Sequence, residues 1–356
     1  MPCFMLLSGE HETLPYLEVL TLLETELVAD KISLLKKISY LDQVLRIDVD
    51  SQTCARIAEK CGYVHLCCEE IFVTKQNLRE IERAVNSMEA KNLQRCKRIA
   101  LKIIYIKEYG KKLDVKCIEK IILDGLNVKI PGFKLDYKNP EITFVGVLTE
   151  NKFLFGRVIA AGSRRQLIQR SPGRRPFFHP SSLSSLLARG LLNISGYSGN
   201  DIIVDPFCGT GTIPIEAALL GLRAVGMDIN PKLLVKGARA NTRVLAGQGE
   251  ALVDYICGDI LLPPLRENIL HNIIIVTDPP YGRCASTHGR NSLTLLRGLL
   301  SFANKLVNVK QIVFLMPHWL KIADIVEGEG KPATLHFMRV HGGLFRKIVI
   351  FYPRPN

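Results

Sequence analysis

The stretch Asp201 to Gly221, DIIVDPFCGTGTIPIEAALLG, permits few folds. A strand-like apolar run meets a turn holding Gly209 and Gly211, and the turn opens directly into a run with helical character. Parallel strands need a crossover, and the usual crossover is a helix, so this is the first unit of a parallel α/β sheet. The rhythm continues through RAVGMDI, PKLLVKGARANTRVL, DYICGD, a proline-rich connection, NIIIVTDPP, SLTLLRGLLSFANKLV and QIVFLMP. The tail TLHFMRVHGGLFRKIVIFYP reads as two strands turned at Gly342 and Gly343, so the last strand enters antiparallel. The expected fold class is α/β, a doubly wound sheet with an antiparallel end. Gly221 is expected to close the first helix.

The glycine turn is a poor pyrophosphate cradle. A dinucleotide loop wants G-x-G-x-x-G, and Pro214 stands at the third glycine position. Asp205, just before the turn, would repel phosphate and suits a cationic ligand such as a sulfonium bearing an α-amino group. Asp228 ends the second strand, where an acid can hydrogen-bond two ribose hydroxyls. Asp259 ends the third and is placed to meet an adenine. These features describe S-adenosylmethionine rather than NAD, and Phe207, Thr210, Ile229 and Ile260 complete the expected cofactor set around Gly209 and Gly211. His179, between Phe178 and Pro180, reads either as a packing residue or as a cofactor-side contact. Cys208 reads as a small packing residue, because no activating base accompanies it.

VTDPPYGR, Val276 to Arg283, stops a strand with two prolines, since proline has no N–H to offer a sheet. What remains is a rigid turn holding one carboxylate and one ring. An aromatic exocyclic amine is a weak nucleophile, its lone pair being delocalised into the ring. If Asp278 and the carbonyl of Pro279 accept its N–H groups, they draw the nitrogen toward tetrahedral geometry and aim its lone pair at a sulfonium methyl. Pro280 stiffens the turn, and Tyr281 is expected to stack on the base. Asp278 thus counts on both the catalytic and the cofactor side. Cys284 and His288, just beyond, read as substrate-loop residues.

A formal charge of +13 favours a polyanionic partner. It is concentrated at residues 161–190, which hold six arginines and no acid. Arg164, Arg165, Arg170, Arg174 and Arg175 are read there as a phosphate-contacting seam, against the alternative of a solvated linker. The first ~165 residues mix short strands, among them YLDQVLRIDV, with amphipathic helices, the order of an α+β module. The ten cysteines are scattered without CxxC pairs, so no metal is expected. No apolar run reaches the ~18 residues of a membrane span, which leads to the expectation of a cytoplasmic protein.

With these residues in view, the chain resembles class I S-adenosylmethionine-dependent methyltransferases carrying the (Asp/Asn)-Pro-Pro-(Tyr/Phe) motif. More closely it is similar to THUMP-domain RNA methyltransferases, above all the archaeal enzymes that modify the 2-amino group of guanine 10 in tRNA. RPFFHPSSLSSLLARGLLN, DPFCGTGTIPIEAALLG and TDPPYGR carry the likeness. It implies a ferredoxin-like module over residues 1–74, a THUMP module over 75–165, a basic linker over 166–176 and a Rossmann-like methyltransferase domain over 177–356. The implied partner is tRNA, with a homodimer or a small activator subunit left open. Still standing are another guanine of tRNA or ribosomal RNA, an adenine amino group, and a non-catalytic RNA-binding protein. The last would not require acids at 205, 228, 259 and 278 together.

Overall fold

The computed structural model describes residues 2–27, 31–89, 96–264, 271–281, 291–325, 333–341 and 344–353. Gly282, Arg283, Cys284, His288, Gly342 and Gly343 lie outside these residues. The chain forms two compact units.

The first is built on an eight-stranded mixed sheet. In chain order the N-terminal stretch runs β1 (Cys3–Leu7), α1 (Leu14–Leu27), which belongs to the second unit, α2 (Lys31–Leu35), β2 (Ile38–Leu41), β3 (Val44–Ile47), α3 (Ser51–Lys60) and β4 (Val64–Lys75). Next come α4 (Leu78–Ser87), β5 (Arg98–Tyr105), α5 (Val115–Lys129), β6 (Lys134–Leu135), β7 (Ile142–Thr149) and β8 (Lys152–Ala161). The strand order is β2-β3-β1-β4-β8-β7-β5-β6. YLDQVLRIDV is a hairpin rather than one strand, because Gln43 takes a left-handed φ of 55° and reverses the chain. β4 pairs with β8 from Leu66↔Ala161 to Lys75↔Lys152, so the sheet is continuous across the boundary expected after residue 74. Helices α4 and α5 cover one face, burying Ile81, Val85, Ile118, Ile122 and Leu126 against Phe144, Phe153 and Phe155. Three cysteines distant in sequence, Cys3, Cys54 and Cys67, meet inside this unit with their sulfurs within 4.8 Å of one another.

The second unit holds the described residues from Ser163 on, together with α1 and the strip Lys60–Tyr63. After α6 (Arg164–Gln169) and α7 (Ser185–Asn193), β9 (Ile202–Asp205), α8 (Thr212–Leu219), β10 (Arg223–Asp228), α9 (Ala240–Leu245), β11 (Val253–Cys257), β12 (Ile273–Thr277), α10 (Ser292–Lys305), β13 (Val309–Pro317), β14 (Ala333–His341) and β15 (Leu344–Phe351) follow. Their sheet runs β11-β10-β9-β12-β13-β15-β14. The pairs among β9 to β13 are parallel, whereas β15 is antiparallel to both neighbours. Every residue of β12 is buried, as a strand covered on both faces requires. Gly221 does follow α8 with a φ of 80°. The helix expected in PKLLVKGARANTRVL instead widens to a π-helical stretch over Leu233–Arg239 before α9.

Buried ionic contacts tie this unit together. Glu18 of α1 is fully buried and accepts hydrogen bonds from Gly62 N, Tyr63 N and Asn193 Nδ2 at 2.8, 2.9 and 2.7 Å. Burial pushes its carboxyl up, and those three donors oppose the shift. Glu216 of α8 takes both Arg170, at 3.0 Å through two nitrogens, and Arg189, at 2.8 Å.

These contacts correct part of the expected arginine seam. Arg170 is engaged by Glu216. Arg175 is buried and donates to Thr212 Oγ1, Ser185 Oγ and the carbonyl of Arg170, leaving its guanidinium no face for a phosphate. Arg164 pairs with Glu10, while Arg165 and Arg174 are exposed. Removing Glu216 strands the guanidinium groups that it neutralises. Glu216→Ala is therefore expected to lower stability by about 3–5 kcal/mol in urea unfolding followed by circular dichroism.

Candidate active site

Strand order reverses beside β9, which has β10 on one side and β12 on the other, and such a reversal opens a crevice at the carboxyl ends of the strands. Asp205 ends β9, Asp228 ends β10 and Thr277 ends β12, with Asp278 next in the chain. All three acids line one cavity of about 610 Å³.

One end of the cavity is formed by the glycine turn. Gly209 has a left-handed φ of 50°, and a Cβ there would meet no protein atom within 4 Å, so the loop leaves that room to a ligand. Its N–H donates to Asp228 Oδ2 at 2.9 Å, and Asn230 N–H donates to Oδ1 at 2.8 Å. Asp228 thereby ties the glycine turn to the end of β10. Phe207, Thr210, Ile229, Asp259 and Ile260 also line the cavity. Asp259 accepts from Leu261 N–H at 3.0 Å, which turns the chain away after β11. His179 is in the wall too, its Nδ1 2.7 Å from Ser181 Oγ.

Gly211 serves the turn from behind. It caps α8 with a φ of 83° and is not part of the cavity wall; a Cβ there would stand 2.4 Å from Tyr255 Oη. Its task is to let that tyrosine pack beneath the turn.

At the other end are Asp278, Pro279, Pro280 and Tyr281, joined by Pro317, Trp319, Phe345 and Arg346. Tyr281 Oη donates to Asp278 Oδ1 at 2.7 Å, and Arg346 Nη1 donates to Oδ2 at 3.0 Å. Burial pushes the Asp278 carboxyl up, while the Arg346 charge and the two hydrogen bonds oppose this. Burial and the neighbouring Asp278 charge push the Tyr281 phenol well above its usual range, which keeps it a donor. Between the two ends, Asp205 is buried and accepts from Thr277 Oγ1 at 2.6 Å and Phe207 N–H at 3.2 Å. Burial, with smaller contributions from the charges of Asp228 and Asp278, pushes its carboxyl up to about 7.

Sequence reasoning missed Arg346, Trp319, Phe345 and Asn241. Asn241 is fully buried; its Oδ1 accepts from Phe177 N–H at 2.9 Å, and its Nδ2 donates to the carbonyls of Phe177 and Thr210 at 3.1 and 3.2 Å. It fastens the segment carrying His179 to the glycine turn. An asparagine inside a helical pattern was the available signal, since it is disfavoured there without a partner.

The parallel sheet with its antiparallel end, the glycine turn and the acids at three strand ends define a class I methyltransferase. A family model described as "RMKL-like, methyltransferase domain" matches residues 172–348. A second, described as "DNA methylase", matches residues 74–236 and stops short of Asp278. The chain is 31% identical over 98% of both lengths to the tRNA (guanine(10)-N2)-dimethyltransferase of Methanothermobacter thermautotrophicus. It is 26% identical, over 97% of this chain and 98% of the other, to the protein of the same name from Methanocaldococcus jannaschii. The chain belongs to the tRNA (guanine(10)-N2)-dimethyltransferase family. The crystal structure of TrmN from Thermus thermophilus shares the fold, with a TM-score of 0.60 at 16% identity over 99% of both chains.

The raised carboxyl of Asp205 has a measurable consequence. A cationic ligand binds best beside the ionised form, so below a value of about 7 the site must first shed a proton. Affinity for a sulfonium ligand is expected to strengthen as pH rises from 5 to 8, approaching about tenfold per unit at the acid end. Asp205→Asn should bind more weakly and with a flat profile. Isothermal titration at several pH values checks this.

Proposed function

We propose that this protein is an S-adenosylmethionine-dependent tRNA methyltransferase that acts on the exocyclic 2-amino group of guanosine at position 10, the position named for both full-length relatives. The observation that carries the reading is that Asp278 and Tyr281 share one cavity with the Gly209 turn and Asp228. A methyl donor and a flat base can therefore meet inside it. Asp228 would hold the donor's ribose, Asp205 its cationic end, and Asp259 with Ile260 its adenine. Bound there, S-adenosylmethionine supplies an electrophilic methyl group.

The chain's own contribution is to make a poor nucleophile good and to hold it still. Asp278 and the Pro279 carbonyl accept the N–H groups of the amine, so the nitrogen lone pair turns out of the ring plane. Tyr281 supports the base, and its bond to Asp278 fixes the carboxylate's orientation. The prolines hold the turn without a mobile N–H. With the donor bound, the nitrogen would take its methyl group at the expense of the carbon–sulfur bond, and Asp278 would accept the surplus proton from nitrogen. Proximity and orientation supply much of the lowered barrier, and proton acceptance a further part.

The test is incubation with unmodified tRNA and methyl-labelled S-adenosylmethionine, followed by digestion and nucleoside mapping. Label in N2-methylated guanosine at position 10 is expected; label in adenosine or at another position overturns the assignment. In the same assay Asp278→Asn should lose at least about a hundredfold in single-turnover rate, while tRNA affinity stays within a few fold.

Within the basic segment, Arg165 and Arg174 are the residues with guanidinium groups open to a nucleic-acid backbone. Neutralising both should make the salt dependence of tRNA binding shallower by roughly 0.7 to 0.9 log–log units per lost phosphate contact. Filter binding across a salt series measures it, with Arg175→Ala expected to lower thermal stability instead.

A further inference from the structure

Arg346 is not used by the chemistry just described, yet it holds both groups on which that chemistry turns. Its Nη1 donates to Asp278 Oδ2 at 3.0 Å, and its Cζ lies 5.4 Å from the centre of the Tyr281 ring. The other oxygen of Asp278 is taken by Tyr281 itself. A planar group over the tyrosine ring, donating N–H to the aspartate, is what a target base would be in this cavity.

The likeness extends to the chemistry of the group. The N1–C2–N2 edge of guanine is itself a guanidine fragment, flat, with a ring N–H beside an amino group, so it presents adjacent donors to a carboxylate. Adenine presents an acceptor, its N1, beside its amino group. A carboxylate and ring arranged for a guanidinium accept the guanine edge and leave an adenine N1 facing an anion.

We propose that Arg346 is a stand-in for the target base: its guanidinium occupies the place of the guanine edge between turnovers, and the entering base displaces it. The inference rests on the guanosine reading above and adds how that base is selected. Arg346 projects from β15 opposite Pro317 of β13 and Met338 of β14, so its backbone is held by sheet pairing on both sides while its side chain swings. Between turnovers it neutralises Asp278, which keeps that buried carboxylate in the acceptor form the next base needs. A base that cannot replace those donors leaves Asp278 with a worse partner than the one it gave up.

The test uses full-length Arg346→Ala, with Arg346→Met as a second variant that keeps the apolar stem. Trp319 is the chain's single tryptophan and lines this cavity, so its fluorescence reports occupancy. With S-adenosylhomocysteine saturating the cofactor end, guanidinium ion, guanosine 5′-monophosphate and adenosine 5′-monophosphate are titrated in turn. Millimolar guanidinium is expected to shift the fluorescence of either variant and not of wild type, and to inhibit the variants' methylation of tRNA competitively. The guanosine nucleotide should bind the variants at least about tenfold more tightly than wild type, and the adenosine nucleotide should show no such gain.

Guanidinium that restores a lost rate, or acts equally on variants and wild type, overturns the proposal, because Arg346 would then work with the base or elsewhere. A gain for the adenosine nucleotide in place of the guanosine one overturns the matching of the edge to guanine. Failure of the function itself is read separately, as absence of labelled guanosine with wild-type enzyme, and these titrations do not depend on turnover.

Discussion

The bond from Thr277 Oγ1 to Asp205, 2.6 Å long, joins the ends of two neighbouring parallel strands where the sheet changes direction. Beside that joint the strand order reverses, and the cavity opens at the carboxyl ends of these strands. Asp205 sits at the floor of that cavity, its carboxyl raised to about 7 because it is buried and faces two other acids. The Thr277 hydroxyl, donating to it, makes such a buried carboxylate tolerable. Were this joint loosened, the glycine turn and the DPPY turn would no longer share a rim.

Much of this was legible in the sequence, and the reasons are local. A strand, a glycine turn and a helix follow one another within Asp201 to Gly221, so short-range periodicity suffices to read them. Acids at the ends of strands are visible once the strands are. The Asp278 to Tyr281 turn announces itself because two prolines after an apolar run leave few backbone choices.

What escaped the sequence is long-range register. Arg346 lies 68 residues from the aspartate it contacts, and only the antiparallel pairing of β15 with β13 brings it to the cavity. Arg170 and Arg175 read as surface charge because their partners Glu216 and Thr212 lie beyond the basic segment. A run of arginines without nearby acids does not reveal that some of them fold inward. The meeting of Cys3, Cys54 and Cys67 is hidden for the same reason, since it needs two strands and a helix to converge.

Glu18 and Asn193 are 175 residues apart, yet they share one buried hydrogen bond inside the catalytic unit. Helix α1 therefore belongs to a core whose other walls are translated well after it. At roughly 5–20 residues per second, α1 waits on the order of ten to thirty-five seconds for its partner. Throughout that interval an acidic side chain destined for the interior is kept in water. A gene fragment beginning after Ala161 would encode the sheet of the catalytic unit without the helix that packs on α7.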